Sequence, residues 1–128
     1  MILVDSCVIF GHTRGTDLRL GELFKALPVG VCGVVRAEVL HGARNPANRT
    51  ALVALLDQFG QIPTPESVWD AVGDNLALLR SHGVTLPFTD VVLATIAIDA
   101  GHELWTHDAH FTLIQNWLPA LELFIEPP

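Results

Sequence analysis

MILVDSCVIF, residues 1–10, sets a carboxylate inside an otherwise apolar run. Ile2–Val4 reads as a buried strand that ends at Asp5. A charge there is costly without a partner, so Asp5 points to chemistry rather than packing. Downstream, short apolar segments alternate with helical patterns. Val29–Cys32 and Glu103–Thr106 read as further strands. Gln61–Pro63 reads as a very short edge strand marked by its proline, and Leu121–Ile125 as a final strand with alternating apolar positions.

Between them, Gly11–Gly15 reads as a loop and Thr16 as the cap of a helix through Leu27, with Leu20, Leu23, Phe24 and Leu27 at helical spacing. Helices are also expected over Val34–Gly42, from Asn45-Pro46 to Gly60, from Pro65 to His82, over Asp90–Ala100 and over His110–Trp117. The alternation predicts an α/β fold. A central, mainly parallel sheet of four or five strands carries helices on both faces, joined by right-handed crossovers. A length of 128 residues is read as one domain, 1–128.

Composition narrows the function. Half of the residues are hydrophobic and only 16% are charged, below the roughly 25% of an average domain. Long runs with few charges suit strands buried on both faces. The net charge of −7 excludes a protein that holds nucleic acid by general surface charge, so any such contact is local, cation-assisted or partner-assisted. Cys7 and Cys32 sit in apolar, strand-like runs and read as buried free thiols. The N-terminus lacks a basic leader, and no apolar stretch is long enough to span a bilayer, so a soluble cytoplasmic protein without a membrane role is expected.

Ligand sites of open parallel sheets lie at the C-terminal ends of the strands. Asp5 ends the first strand, and Glu38 lies just over one helical turn after the second. Asp90 opens the helix leading to the fourth strand, and Asp108 follows that strand by two residues. Taken singly, Glu38 could be a solvated helix residue, Asp90 a first-turn residue favoured by the helix dipole, and Asp108 an ordinary turn residue. As a set at one sheet edge, they repel one another unless a hard divalent cation lies between them. Magnesium or manganese suits such oxygen donors, activates water and offsets charge on a phosphate. The set therefore points to phosphodiester hydrolysis.

The sequence around these acids resembles the PIN domains. Val4-Asp5-Ser6-Cys7-Val8-Ile9 is similar to their opening strand, and Val35-Arg36-Ala37-Glu38-Val39-Leu40-His41-Gly42 to their second motif. Asp90-Val91-Val92-Leu93-Ala94-Thr95-Ile96-Ala97 resembles the third motif, and Leu104-Trp105-Thr106-His107-Asp108-Ala109-His110-Phe111 the fourth. The successive gaps between acids are 33, 52 and 18 residues, and the likeness covers essentially the whole chain. The VapC-like toxins of toxin–antitoxin pairs resemble it most. That resemblance implies a PIN-like fold and an endoribonuclease needing Mg2+ or Mn2+. Asp5, Glu38, Asp90 and Asp108 would hold the metal directly or through water, and Thr106 would orient the acids. It further implies an RNA substrate, a cognate antitoxin with a basic residue near the acidic pocket, and a homodimer. Gly33 departs from the pattern, since relatives commonly have Ser or Thr ahead of the second helix, and glycine is a weaker cap for the helix bearing Glu38.

Other readings compete with the toxin. One is a housekeeping PIN nuclease of RNA processing, and another an inactive PIN-fold binding module, against which the retained acids count. A haloacid-dehalogenase-like phosphatase would need a second aspartate where Cys7 stands. His107 and His110 flank Asp108 without a nearby cysteine and read as polar turn residues rather than zinc ligands. His12, Arg14 and Arg36 lie near the proposed edge, as phosphate contacts or solvated residues. Trp69, Trp105 and Trp117 read as core or dimer contacts, and Gly11–Gly15 lacks the ending of a phosphate loop.

Overall fold

The computed structural model describes all residues of the chain, Met1–Pro128. Strands β1 (Ile2–Val4), β2 (Val29–Cys32), β3 (Gly60–Ile62) and β4 (Glu103–Trp105) form one sheet in the order β3-β2-β1-β4. Every pairing in it is parallel. Side chains alternate between faces along a strand, yet every residue of β1 and β2 is buried. Both faces are therefore covered, and the α/β fold with a parallel central sheet expected from the sequence is the one observed. Seven helices surround the sheet: α1 (Ser6–Thr13), α2 (Leu20–Ala26), α3 (Gly33–His41), α4 (Pro46–Gln58), α5 (Ser67–Ser81), α6 (Phe88–Ala100) and α7 (His110–Trp117). None is long and apolar enough to cross a membrane.

The most apolar helix is the innermost. Seven consecutive residues of α6, Val91–Ala97, are buried, as befits a helix apolar on all sides. Its one polar member, Thr95, donates to the Val91 carbonyl at 2.7 Å and accepts from Asn75 Nδ2 at 2.9 Å, which ties α5 to α6. No buried polar side-chain atom lacks a partner. Gly101 ends α6 with φ +70°, and the His102 amide reaches back to the Ala97 carbonyl at 2.9 Å. Only glycine adopts this left-handed turn cheaply. The same device at Gly15, φ +69°, follows α1, with Thr16 N bonded to the Gly11 carbonyl at 3.0 Å.

Three expectations need correction. Gly11 lies within α1, because the apolar run after Asp5 continues as helix; an added Cβ at Gly11 would lie 3.2 Å from Leu20, so this glycine serves close packing, not a loop. The second helix starts at Leu20, and Thr16 donates its hydroxyl to the Gly11 carbonyl at 3.0 Å instead of capping that helix. Leu121–Ile125 forms no strand. Only a single parallel bridge pairs Leu123 with Leu104, whose amide and carbonyl bond Glu122 and Phe124, each at 2.8 Å. Pairing ends there because β4 itself stops at Trp105.

Trp105 is fully buried at the end of β4. Phe24 meets its ring edge-on at 5.4 Å, Phe124 packs at 4.9 Å, and its indole N–H donates to Glu126 at 2.8 Å. Trp117 is 38% exposed and stacks on His82 at 3.9 Å. Trp105→Ala is expected to cost about 3–5 kcal/mol, as for truncated core aromatics. Trp117→Ala is expected to cost about 1 kcal/mol, the order of an aromatic pair. Urea unfolding of both variants checks the contrast, and equal losses would contradict it.

Candidate metal centre

β1 carries Asp5 to the C-terminal edge of the sheet, next to β4, and the Asp5 amide donates to the Trp105 carbonyl at 2.9 Å. Asp5 caps α1, its Oδ1 accepting from the Ser6 amide at 2.7 Å. Its Oδ2 accepts from the Thr106 hydroxyl at 2.8 Å and the Cys7 thiol at 3.3 Å. With these donors around it, the carboxylate is only 6% exposed. Thr106 in turn accepts from the Asp108 amide at 3.0 Å. One hydroxyl thus bridges the first acid and the backbone of the fourth.

Glu38 lies on α3, which follows β2, and Asp90 lies in the first turn of α6. Burial, then the charges of Asp5 and Asp90, pushes the Glu38 carboxyl above its ordinary range, while the Ser6 hydroxyl opposes that shift. Burial also raises Asp90. The His110 hydrogen bond opposes this, and the charges of Asp108 and Asp5 add to it. The structure therefore brings all four sequence-predicted carboxylates to one edge, with Asp90 in electrostatic reach of the other three.

His110, which the sequence presents as a polar turn residue, is the first residue of α7. Its Nδ1 lies 2.8 Å from Asp90 Oδ2 and 3.5 Å from Asp108 Oδ1, and its amide donates to Asp108 Oδ1 at 2.9 Å. Ligand atoms of Asp90, Asp108 and His110 all lie within 4.8 Å of one another. The Asp90 hydrogen bond, then the Asp108 charge, raises the His110 pKa, so the two acids favour the protonated ring.

Cys7 also differs from expectation. It is free but only half-buried, and it lies on α1 rather than in a strand. Burial, then the Asp5 charge, raises its thiol to about 11. It stays protonated and donates to Asp5, while its sulfur accepts from the His107 amide at 3.4 Å. Ser6, Cys7 and His110 were missed as site residues. Their signal was adjacency, since two directly follow Asp5 and the third lies two residues beyond Asp108.

The remaining candidates separate cleanly. Arg36 pairs with Asp57 at 2.8 Å, and His107 pairs with Glu126. His12 packs edge-on against Phe24 at 5.2 Å. Arg14 lies over the Phe10 ring at 4.5 Å. Cys32, not Gly33, is the N-cap of α3, and a Cβ added at Gly33 would meet nothing within 4 Å.

No family profile matches the sequence, and no curated protein matches it either. Solved structures do match. A chain of the VapBC2 structure from Rickettsia felis, bound to a promoter DNA fragment, is 19% identical with a TM-score of 0.83, covering 97% of this chain and 98% of that one. A chain of FitAcB from Neisseria gonorrhoeae is 21% identical with a TM-score of 0.77, covering 98% and 97%. VapC20 of Mycobacterium tuberculosis, described as a sarcin–ricin loop cleaving toxin, is 16% identical with a TM-score of 0.69, covering 88% and 94%. The chain shares the fold of these proteins over nearly its whole length.

Glu38 and Asp90 bind protons more tightly in the fold than in the unfolded chain. Without metal, their contribution to stability therefore falls as pH rises from the ordinary carboxylate range through the raised values. Glu38→Gln removes one of the crowded charges at nearly constant volume. In EDTA at pH 7, its melting temperature is expected above wild type, and the difference should shrink towards pH 4. A variant that melts below wild type at pH 7 would contradict the repulsion.

Proposed function

We propose that this chain is a Mg2+- or Mn2+-dependent endoribonuclease of the VapC-like kind, the toxin of a toxin–antitoxin pair. The observation that carries the reading is the meeting of Asp5, Glu38, Asp90 and Asp108 at one sheet edge. Two of them are raised by burial and mutual charge, which is costly unless a cation joins them. The donors are oxygens with one imidazole beside them, and they fit magnesium or manganese. The fold shared with a toxin that cuts the sarcin–ricin loop supports RNA as the substrate.

In this reading Asp5, Asp90 and Asp108 hold the ion, with Glu38 a ligand directly or through water. Bound there, the ion lowers the pKa of a coordinated water and offsets charge on the attacked phosphate. The chain's own part is positioning and proton handling. Ser6, Cys7 and Thr106 fix both Asp5 oxygens, and Thr106 ties Asp5 to the loop of Asp108. Glu38, where it meets the ion only through water, is the acid placed to take up the proton of the attacking water.

The reading includes a cognate antitoxin. Several solved structures with this fold are toxin–antitoxin complexes, and a basic inhibitory segment complements an acidic pocket. It also includes a homodimer. Trp69 and Leu78 of α5 and Leu113 and Trp117 of α7 are exposed on helices that pack together, an apolar surface suited to a second copy. The protein then forms a single PIN domain acting on RNA in the cytoplasm.

Purified protein incubated with total RNA should give defined products in millimolar Mg2+ and none in EDTA. Asp108→Asn should lower the rate on the order of a hundredfold or more, as loss of several kcal/mol of charge stabilisation implies. Asp5→Ala should do the same, with circular dichroism confirming the fold. Equal cutting by wild type and both variants would refute the reading. Mg2+ should also raise the melting temperature of wild type, because it binds only the folded site. No shift at saturating metal would mean that no ion site is preformed.

A further inference from the structure

The few cations of this acidic chain are unevenly placed. Of its seven Lys and Arg residues, three are paired: Arg19 with Asp17 and Glu126, Lys25 with Glu22, and Arg36 with Asp57. Arg14, Arg44, Arg49 and Arg80 have no carboxylate partner. Arg14 and Arg44 line the same hollow, a cavity of about 330 Å³ walled by Phe10, Thr13, Gly42 and Asn48. A second hollow, of about 360 Å³, has Ser6, Cys7 and His107 on its wall and shares Phe10 and Arg14 with the first. The two hollows therefore meet at Arg14, and the second reaches residues that touch Asp5. No carboxylate lines either.

The donors in the first hollow have no carboxylate partner, and Arg14 is held in place. Arg14 rests on the Phe10 ring at 4.5 Å, which leaves its N–H groups unused. Phe10 stands there because residue 42 is glycine; a Cβ at Gly42 would lie 2.8 Å from the ring. Asn48 accepts from the Arg44 amide at 3.0 Å through Oδ1, so its side-chain N–H groups remain available. Such forked, unpaired donors match phosphate oxygens.

We infer that Arg14 and Arg44 hold backbone phosphates of the RNA on one side of the scissile bond, along a track from the acids through the Ser6–Cys7–His107 hollow to the Arg44–Asn48 hollow. This rests on the ribonuclease reading above. A polyanion gains from arginines beyond the metal centre, whereas a basic inhibitory segment is repelled by them. RNA is therefore the occupant that the charges favour. A chain of net charge −7 gains most from such contacts where no carboxylate opposes them.

Cleavage of a short single-stranded RNA in Mg2+ tests the track. Arg14→Ala and Arg44→Ala should each raise KM about fivefold, with kcat within about twofold, and the double variant should raise KM tenfold or more. Each should flatten the log–log salt dependence of kcat/KM by about 0.7, the slope of one single-strand phosphate contact. Arg80→Ala, outside the hollows, should match wild type, and the Mg2+-induced rise in melting temperature should persist in all. Anisotropy of the labelled RNA on Asp108→Asn, alone and combined with the arginine changes, separates the two readings. Binding that depends on Arg14 and Arg44, together with a wild type that cuts nothing in Mg2+, would refute the nuclease and keep the track. Normal cutting with unchanged KM and salt slope in the arginine variants would overturn the track alone. Unchanged RNA affinity with weakened binding of a protein partner would assign the arginines to that partner and also overturn it.

Discussion

Four carboxylates share one end of the sheet, and much of the surrounding structure can be understood as a response to their repulsion. A parallel sheet sends its loops to a common edge, and β1, flanked by β2 and β4, delivers Asp5 there. Water cannot screen the group well, because Asp5 is 6% exposed. The chain answers with donors. Ser6, Cys7 and Thr106 all point at Asp5, and His110 lies between Asp90 and Asp108. These donors reduce the repulsion without removing it, as the raised carboxyls of Glu38 and Asp90 show. The residual strain is what a divalent cation would relieve, so the same feature that weakens the metal-free fold favours metal binding.

The centre also depends on the chain after β4. Thr106 and Asp108 directly follow the buried Trp105, whose indole N–H is bound by Glu126. Glu126 also takes Arg19 at 3.0 Å and pairs with His107. The C-terminal segment therefore clasps the loop that bears Asp108, although it adds only one bridge to the sheet. Arg19 is anchored on its other side by Asp17 at 3.1 Å. The loop before α2, the loop after β4 and the chain end are thus held by a single carboxylate, so a loop residue such as Asp108 sits on a supported backbone.

The sequence made much of this legible, for identifiable reasons. β1 and β2 are short apolar runs buried on both faces, the pattern of central strands in a covered parallel sheet. The four acids were visible because three lie where strands end or just beyond, and Asp90 opens a helix too apolar to be a surface element. What escaped notice was set by tertiary contact. Gly11 looked like a breaker because its packing against Leu20 is not local. Leu121–Ile125 alternated like a strand, yet its only partner was a single residue of β4. His110 and Cys7 looked like a turn residue and a core thiol, because sequence spacing says nothing of a carboxylate arriving from a distant element. Asp5 and Thr106 are 101 residues apart, and their hydrogen bond exists only through the sheet.

A negative net charge initially counts against RNA as a ligand, and the placement of charges answers the objection. Coulombic attraction between exposed groups fades beyond roughly 8 Å at physiological salt, so a phosphate responds to its neighbours and hardly to the net sum. Paired cations have little to offer it: Arg36 already faces Asp57, and Arg19 faces two carboxylates. On the proposed reading, the unpaired Arg14 and Arg44 near the acids, in hollows that no carboxylate lines, make a short path in which each phosphate would meet positive charge. Away from that path the acidic surface opposes nucleic acid, with only the isolated Arg49 and Arg80 as unpaired arginines. Binding then requires a strand able to enter the hollows and reach the acids, and that geometric demand, rather than general attraction, becomes the source of selectivity.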